Sequence, residues 1–316
     1  MMSLLIVAAF VAAAQAATPV ERQLTAPGPL GSLAGTLIDA GKRSRVVVII
    51  PGSGPTDRDG NNPLGGRPSN LRMLAEGLAE RGITTVRIDK RGMFGSKAAV
   101  ANGNDVTIAA YAADAHAWAK AARTATGAKC VWLLGHSEGS LVALAAAQDP
   151  RDLCGVISVS GAGRKLGTVI REQLTSNPAN ATILTPALAT LDSLEKAQKV
   201  DSATLPAPLQ PLFNNAVQPY LIDLMAQDPA RLAATLKLPL LIVQGGRDLQ
   251  VKVADADVLA AAQPKAKLVI LPGVNHVLKI VASDSPAANF ATYGDPSLPI
   301  APGVVDAIAG FVGNRR

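Results

Sequence analysis

Short runs of residues that are apolar at almost every position alternate along this chain with longer segments that read as helices. A strand wetted on one face alternates apolar and polar side chains, whereas a strand covered on both faces is apolar throughout. Residues 45–50, 83–89, 130–134, 152–160, 239–243 and 266–271 are mostly of the second kind and are predicted strands of a parallel sheet. Between them, residues 71–81 and 107–123, the stretch opening at Glu138, and residues 304–312 have helix-forming composition and spacing. Gly82 stands where a left-handed helix terminator belongs. Residues 30–38 fit an antiparallel hairpin at the start of the sheet. This rhythm predicts an α/β fold, a mostly parallel sheet flanked by helices.

One stretch breaks the rhythm. Residues 164–236 contain helical segments, such as 190–199 and 220–226, together with Pro206, Pro208, Pro211 and Pro219, but no buried-strand run. A structureless loop of that length is uncommon inside a domain. The expected organisation is therefore a core of residues 18–163 and 237–316, interrupted by a helical cap of residues 164–236 lying over the strand ends. A decoration remote from those ends is the other reading.

The N-terminus changes the picture in one respect. Residues 4–11 are apolar but too short to span a bilayer, and Ala14-Gln15-Ala16 forms an A-x-A cleavage pattern closed off by Thr18-Pro19. Residues 1–17 are read as a secretory signal peptide, although no Lys or Arg precedes the apolar run; an uncleaved anchor is the alternative. No later segment reaches about 18 uninterrupted apolar residues. The expectation is an exported protein, periplasmic or extracellular, with no stable membrane insertion once the signal is removed.

The net charge of +6 is scattered, with Lys42-Arg43-Ser44-Arg45 and Arg315-Arg316 the dense clusters, and aromatics make up only 3% of the chain. A nucleic-acid partner would need a basic stripe with aromatic or helix-end contacts, so none is expected. Cys130 and Cys154 each open a predicted strand, and the two strands would be neighbours in the sheet. Export permits a disulfide; two buried free thiols fit the pattern equally well.

The chemistry concentrates at Gly135-His136-Ser137-Glu138-Gly139, directly after the apolar run 130–134 and before the helix-forming Ser140-Leu141-Val142-Ala143. A strand that turns sharply into a helix presents its serine clear of the backbone, but the turn crowds the residues two before and two after it. Glycine at both places relieves that crowding, so the pattern is a nucleophile elbow and Ser137 the nucleophile. A serine needs a base, and the chain has three histidines. His116 lies inside the alanine-rich helix as a surface or packing residue, and His136, beside the nucleophile, is expected to point away from the base's position. His276, in the loop after the last strand, is the remaining choice. That loop emerges at the sheet edge where the elbow lies. Asp248, in Gln244-Gly245-Gly246-Arg247-Asp248 after the preceding strand, is placed to orient the base, while Asp255 and Asp257 fall within the next helix. The oxyanion hole is assigned to the backbone N–H groups of Glu138 and of Ser53, the latter in the loop Pro51-Gly52-Ser53-Gly54 after the first parallel strand.

With these residues in view, the chain resembles α/β-hydrolases of the esterase and serine-aminopeptidase-like group over nearly its whole exported length. The resemblance rests on residues 51–61 (Pro-Gly-Ser-Gly-Pro-Thr-Asp-Arg-Asp-Gly-Asn), on Asp89-Lys90-Arg91-Gly92-Met93-Phe94-Gly95-Ser96, on the elbow, and on Asn275-His276. Pro51 replaces the histidine with which related chains often open the first of these. The resemblance implies an α/β-hydrolase fold with an inserted helical cap and cofactor-free hydrolysis of short-chain carboxylic esters, a small-molecule substrate. An aminopeptidase-like amidase is the alternative; it would need a carboxylate for the substrate's ammonium group, from Glu138, Glu172 or Glu195. A non-catalytic binding protein is a third reading. Asp57-Arg58-Asp59-Gly60-Asn61-Asn62 begins like a calcium loop but lacks its glycine and closing glutamate, so no metal is expected. Asp57, Arg58 and Asp59 are expected instead to shape the oxyanion loop, and Asp89 and Arg91 the loop after the next strand.

Overall fold

The structure, a computed structural model, describes residues 20–314 except 42, 43 and 64. The proposed signal segment 1–17 lies outside the described residues, as do Lys42, Arg43, Arg315 and Arg316. The strands β1 (Val20–Ala26), β2 (Leu33–Asp39), β3 (Arg45–Ile50), β4 (Ile83–Ile88), β5 (Val131–His136), β6 (Leu153–Val159), β7 (Leu240–Gly245) and β8 (Lys267–Leu271) form one sheet. Its order is β1-β2-β4-β3-β5-β6-β7-β8. The β1–β2 and β2–β4 pairs are antiparallel, and every later pair is parallel.

The helices are α1 (Asn70–Glu80), α2 (Ile108–Thr126), α3 (Glu138–Ala146), α4 (Leu166–Ser176), α5 (Leu184–Glu195), α6 (Gln218–Ala226), α7 (Pro229–Ala234), α8 (Val253–Ala262), α9 (Pro286–Ala291) and α10 (Pro302–Gly313). Successive strand residues feed two separate cores. Val46, Val48 and Ile50 pack with α2 and α3 residues such as Trp118 and Leu144, while Val47 and Ile49 meet Leu71 and Leu74 of α1 and Val304 and Ile308 of α10. Two-sided burial is why β3 has no polar alternation to read.

Local signals set the helix ends. The Thr107 hydroxyl accepts from the amide of Ala110 at 3.0 Å and caps α2, which ends at Gly127 in the left-handed region, φ 74°. The helix therefore runs three residues beyond the predicted end at 123. Similarly α5 starts earlier than the predicted 190–199, because Pro186 falls in its first turn and is tolerated there.

Between β6 and β7 the chain forms α4 to α7 and adds no strand to the sheet. These helices bury an apolar cluster of their own that includes Leu191, Leu194, Leu209, Phe213 and Met225. α6 packs Leu224 into the cluster that holds Trp118 and Leu144; Tyr220 meets Tyr111 of α2 edge-to-face at 6.0 Å, and Asp223 accepts the amide of Ile108 at 2.7 Å. Cys130 and Cys154 form a disulfide, Cα to Cα 5.3 Å, which ties the segment leading into β5 to β6.

Candidate active site

Ser137 sits between β5 and α3 with φ 56° and ψ −120°, a conformation that costs a non-glycine residue strain and persists only where its surroundings enforce it. The enforcement is visible on both sides. A Cβ on Gly135 would overlap the carbonyl of Gly139, and one on Gly139 would overlap the carbonyl of Ile50 at the end of β3. The two glycines let α3 start within contact distance of two strand ends. The Ser137 amide donates to Val159 of β6 at 2.9 Å, fixing the turn to the neighbouring strand.

The loops after β7 and β8 are stitched together. Gly246 and Arg247 donate their amides to Leu271 (2.8 Å) and Val274 (2.9 Å). This stitching brings His276 to Asp248, with Nδ1 2.8 Å from Oδ2 and both side chains buried. Because the carboxylate accepts, Nδ1 carries the proton and Nε2 is left as the basic nitrogen. Asp248 is fully engaged: Oδ1 accepts from the amides of Gln250 (2.8 Å) and Val251 (2.9 Å), and Oδ2 also accepts from the Gln244 side chain (3.3 Å). Burial alone would push this carboxyl up; the His276 charge and hydrogen bond, with the two amides, outweigh it and hold it below the usual aspartate value. Among the described residues no hydrogen bond joins Ser137 to His276, a contact that often tightens only once substrate is bound.

Asn275 accounts for the Asn-His signature. Its side-chain NH₂ donates to Asn289 (3.1 Å) and Thr292 (2.7 Å), and its carbonyl accepts the Lys279 amide (3.0 Å), so the base loop is pinned to α9 and the turn after it. Those partners lie in a segment without a strand or long helix pattern, and nothing in the sequence signalled them.

Glu138 supplies the first amide of α3, in the turn that helix bonding leaves unpaired. Ser53 is exposed beside the buried Gly52, where an added Cβ would lie 3.2 Å from that of Ser137. The loop carrying it is braced as expected. Arg58 donates to Asp89 through its amide (2.9 Å), Nε (3.1 Å) and a terminal nitrogen (2.6 Å), while Asp57 accepts the amides of Asp59 and Asn61 at 2.9 and 2.8 Å. Arg91 forks onto Asp114 at 2.6 Å through two nitrogens. Asp255, the rival carboxylate, is taken up by Arg164 at 2.7 Å, and Asp257 is an exposed residue of α8.

His136 departs from expectation. Its Nε2 lies 2.8 Å from the carbonyl oxygen of His276, and the two rings are 4.9 Å apart, so it faces the base loop and does not point away from it. The reason is the strand alternation. His136 continues the Trp132–Leu134 face of β5, and that face also receives Val274 and Leu278, which flank His276. His116 is remote, with Nε2 3.0 Å from the Ala146 carbonyl.

The carboxylates that an ammonium-binding pocket would use are each paired. Glu138 meets Lys90 at 2.8 Å with both side chains buried, Glu172 meets Arg164 at 2.6 Å, and Glu195 meets Arg171 at 2.5 Å.

A family model described as "Serine aminopeptidase, S33" matches residues 68–280. Esterase EstD of Thermotoga maritima is 26% identical over 265 residues, or 82% of this chain; the chain spans 60% of the length of that curated relative. Among solved structures, the Pyrococcus furiosus esterase Pf2001 superposes with a TM-score of 0.57 at 15% identity, covering 94% of this chain and 93% of that one. Est1E from Butyrivibrio proteoclasticus, solved with ferulic acid bound, gives 0.56 at 17% identity over 90% and 95%. These likenesses establish the α/β-hydrolase fold. Since the family match runs from the segment before α1 through the base loop, taking in the elbow and most of the sheet, the chain belongs to the serine aminopeptidase S33 family of that fold.

Proposed function

We propose that this chain is an exported serine hydrolase that cleaves carboxylic esters of small or short aliphatic acyl groups. The observation that carries the reading is the strained Ser137 elbow at the same sheet edge as a buried His276–Asp248 pair 2.8 Å apart. His276 Nε2 takes the Ser137 proton as Oγ attacks the ester carbonyl. The tetrahedral oxygen is received by the amides of Glu138 and Ser53, and the imidazolium, steadied by Asp248, returns the proton to the leaving alcohol. Water then attacks the acyl-enzyme by the same route in reverse, releasing the acid and restoring Ser137. Relatives named as esterases support the substrate class.

The engagement of Glu138, Glu172 and Glu195 by cations favours esters over the aminopeptidase-like alternative, since a substrate ammonium would have to displace an existing partner. We read residues 164–236 as a cap over the site, supported by the Tyr220–Tyr111 and Asp223–Ile108 contacts close to Glu138. The residues of that segment are largely apolar and poor in aromatics, which suits an aliphatic acyl group. Export is supported by the pattern in residues 1–17 and by the Cys130–Cys154 bridge.

The test is hydrolysis of p-nitrophenyl acetate and butyrate by the wild type and Ser137→Ala, with an organophosphonate probe. Stoichiometric labelling of Ser137 and a folded but inactive Ser137→Ala are expected. Activity persisting in that variant, or a probe landing elsewhere, rejects the assignment; inertness toward both ester and probe points to the non-catalytic binding protein. Higher kcat/KM on aminoacyl anilides than on esters shifts the reading to the amidase.

A further inference from the structure

We infer that His136 is a positioning residue of this site, one that clamps the loop of the base and the loop of the oxyanion hole to the nucleophile. The inference rests on the triad proposed above. In the sheet, β8, which delivers His276, is three strands away from β5, which delivers Ser137. A route through β6, β7 and their loops accumulates the slack of each. His136 offers a direct one. It is bonded in sequence to Ser137, and its Nε2 reaches the carbonyl of His276 at 2.8 Å across 140 residues of chain.

A carbonyl can only accept, so Nε2 carries the hydrogen, and a neutral ring then has its lone pair on Nδ1. That nitrogen faces the oxyanion loop, 3.6 Å from where a Cβ on Gly52 would stand. The imidazole thus stands between the two loops that must hold still when Ser137 attacks. Burial, and next the neighbouring His276, push its pKa from 6.5 to about 4, so the donor–acceptor arrangement persists at neutral pH. The neighbours on this face, Trp132 and Leu134, are apolar. A buried imidazole is tolerated because it is hydrogen-bonded.

The experiment compares three substitutions. Gln places its amide nitrogen at nearly the reach of Nε2, Asn falls short of it, and Phe keeps the volume without a donor. For His136→Phe and His136→Asn, kcat on p-nitrophenyl butyrate and the phosphonate labelling rate of Ser137 should both fall about 100-fold with KM little changed, as for an ångström-scale misplacement of a catalytic group. His136→Gln should recover both to within about tenfold of wild type. The downfield proton resonance of the His276–Asp248 hydrogen bond should shift in the first two variants and return in the third. If His136→Phe fails to fold, the Asn and Gln pair decides. Equal activity in Asn and Gln, or full activity in Phe, overturns the role of His136 while wild-type labelling leaves the triad standing. An active Ser137→Ala overturns the triad and this inference with it.

Discussion

Lys90 Nζ stands 2.8 Å from Glu138 Oε1 with both side chains almost wholly buried, so the residue that follows the nucleophile carries its carboxylate as half of an internal ion pair. The Tyr220 phenol of α6 lies near this carboxylate, and burial first, then that charge, suppress its ionisation. Removing the cation alone strands a buried charge on the residue next to Ser137. Lys90→Met should cost about 3 to 5 kcal/mol of stability and lower kcat. Lys90→Met combined with Glu138→Gln should regain most of the stability, because no charge is then left unpaired. Urea midpoints and kcat on p-nitrophenyl butyrate check both; a Lys90→Met protein as stable as its parent would mean that the pair contributes nothing.

Asp248→Asn keeps the shape of the acid loop but offers His276 Nδ1 an amide that can donate, which favours the wrong tautomer. A fall in kcat of about 10⁴ is expected, with KM and folding retained. Steady-state kinetics and circular dichroism together test it. Asp257→Asn, on the exposed face of α8, should leave the rate unchanged.

The disulfide closes a loop of sequence separation 24. Replacing Cys130 and Cys154 by Ser frees that loop in the unfolded chain and should lower stability by about 3 kcal/mol on the chain-entropy account. Urea unfolding of the double variant, set against the wild type with and without reductant, measures it. Reductant should destabilise only the wild type.

Stability should fall on acidification. Below pH 6.5 the unfolded chain protonates His136, whereas the native state resists until about pH 4. That difference removes about 3 kcal/mol between the two values. Asp248, held below its usual 3.8 in the native state, extends the loss as pH falls further. Urea midpoints at pH 7 and pH 4.5 should differ accordingly, and His136→Gln, which has no titrating ring, should show a flatter dependence.

Much of this site was legible before any coordinates. The pairing of glycines at 135 and 139 around Ser137 is a steric necessity of the turn, and the overlaps that a Cβ would make there are what the motif encodes. His276 follows from elimination among three histidines and from its loop, and Asp248 from the loop before it, because parallel strands deliver their loops to one edge. His136 was misread. The next position of the Trp132–Leu134 alternation was available in the sequence, but the loop that meets it lies 140 residues on. Asn289 and Thr292, which anchor the base loop through Asn275, had no signal at all, since isolated polar residues in an irregular segment acquire meaning only from their partners.

What the sequence determined by itself is therefore everything governed by local sterics and periodicity: strands buried on both faces, helix terminators such as Gly82, the elbow, and the order in which serine, aspartate and histidine arrive. Tertiary structure alone decided which charges cancel and which loops are tied. Lys90 answers Glu138, Arg164 answers both Glu172 and Asp255, and Cys130 reaches Cys154. Hydrogen bonds and ion pairs act over about 3 Å, and residues far apart in the chain reach that range only after the apolar layers have packed.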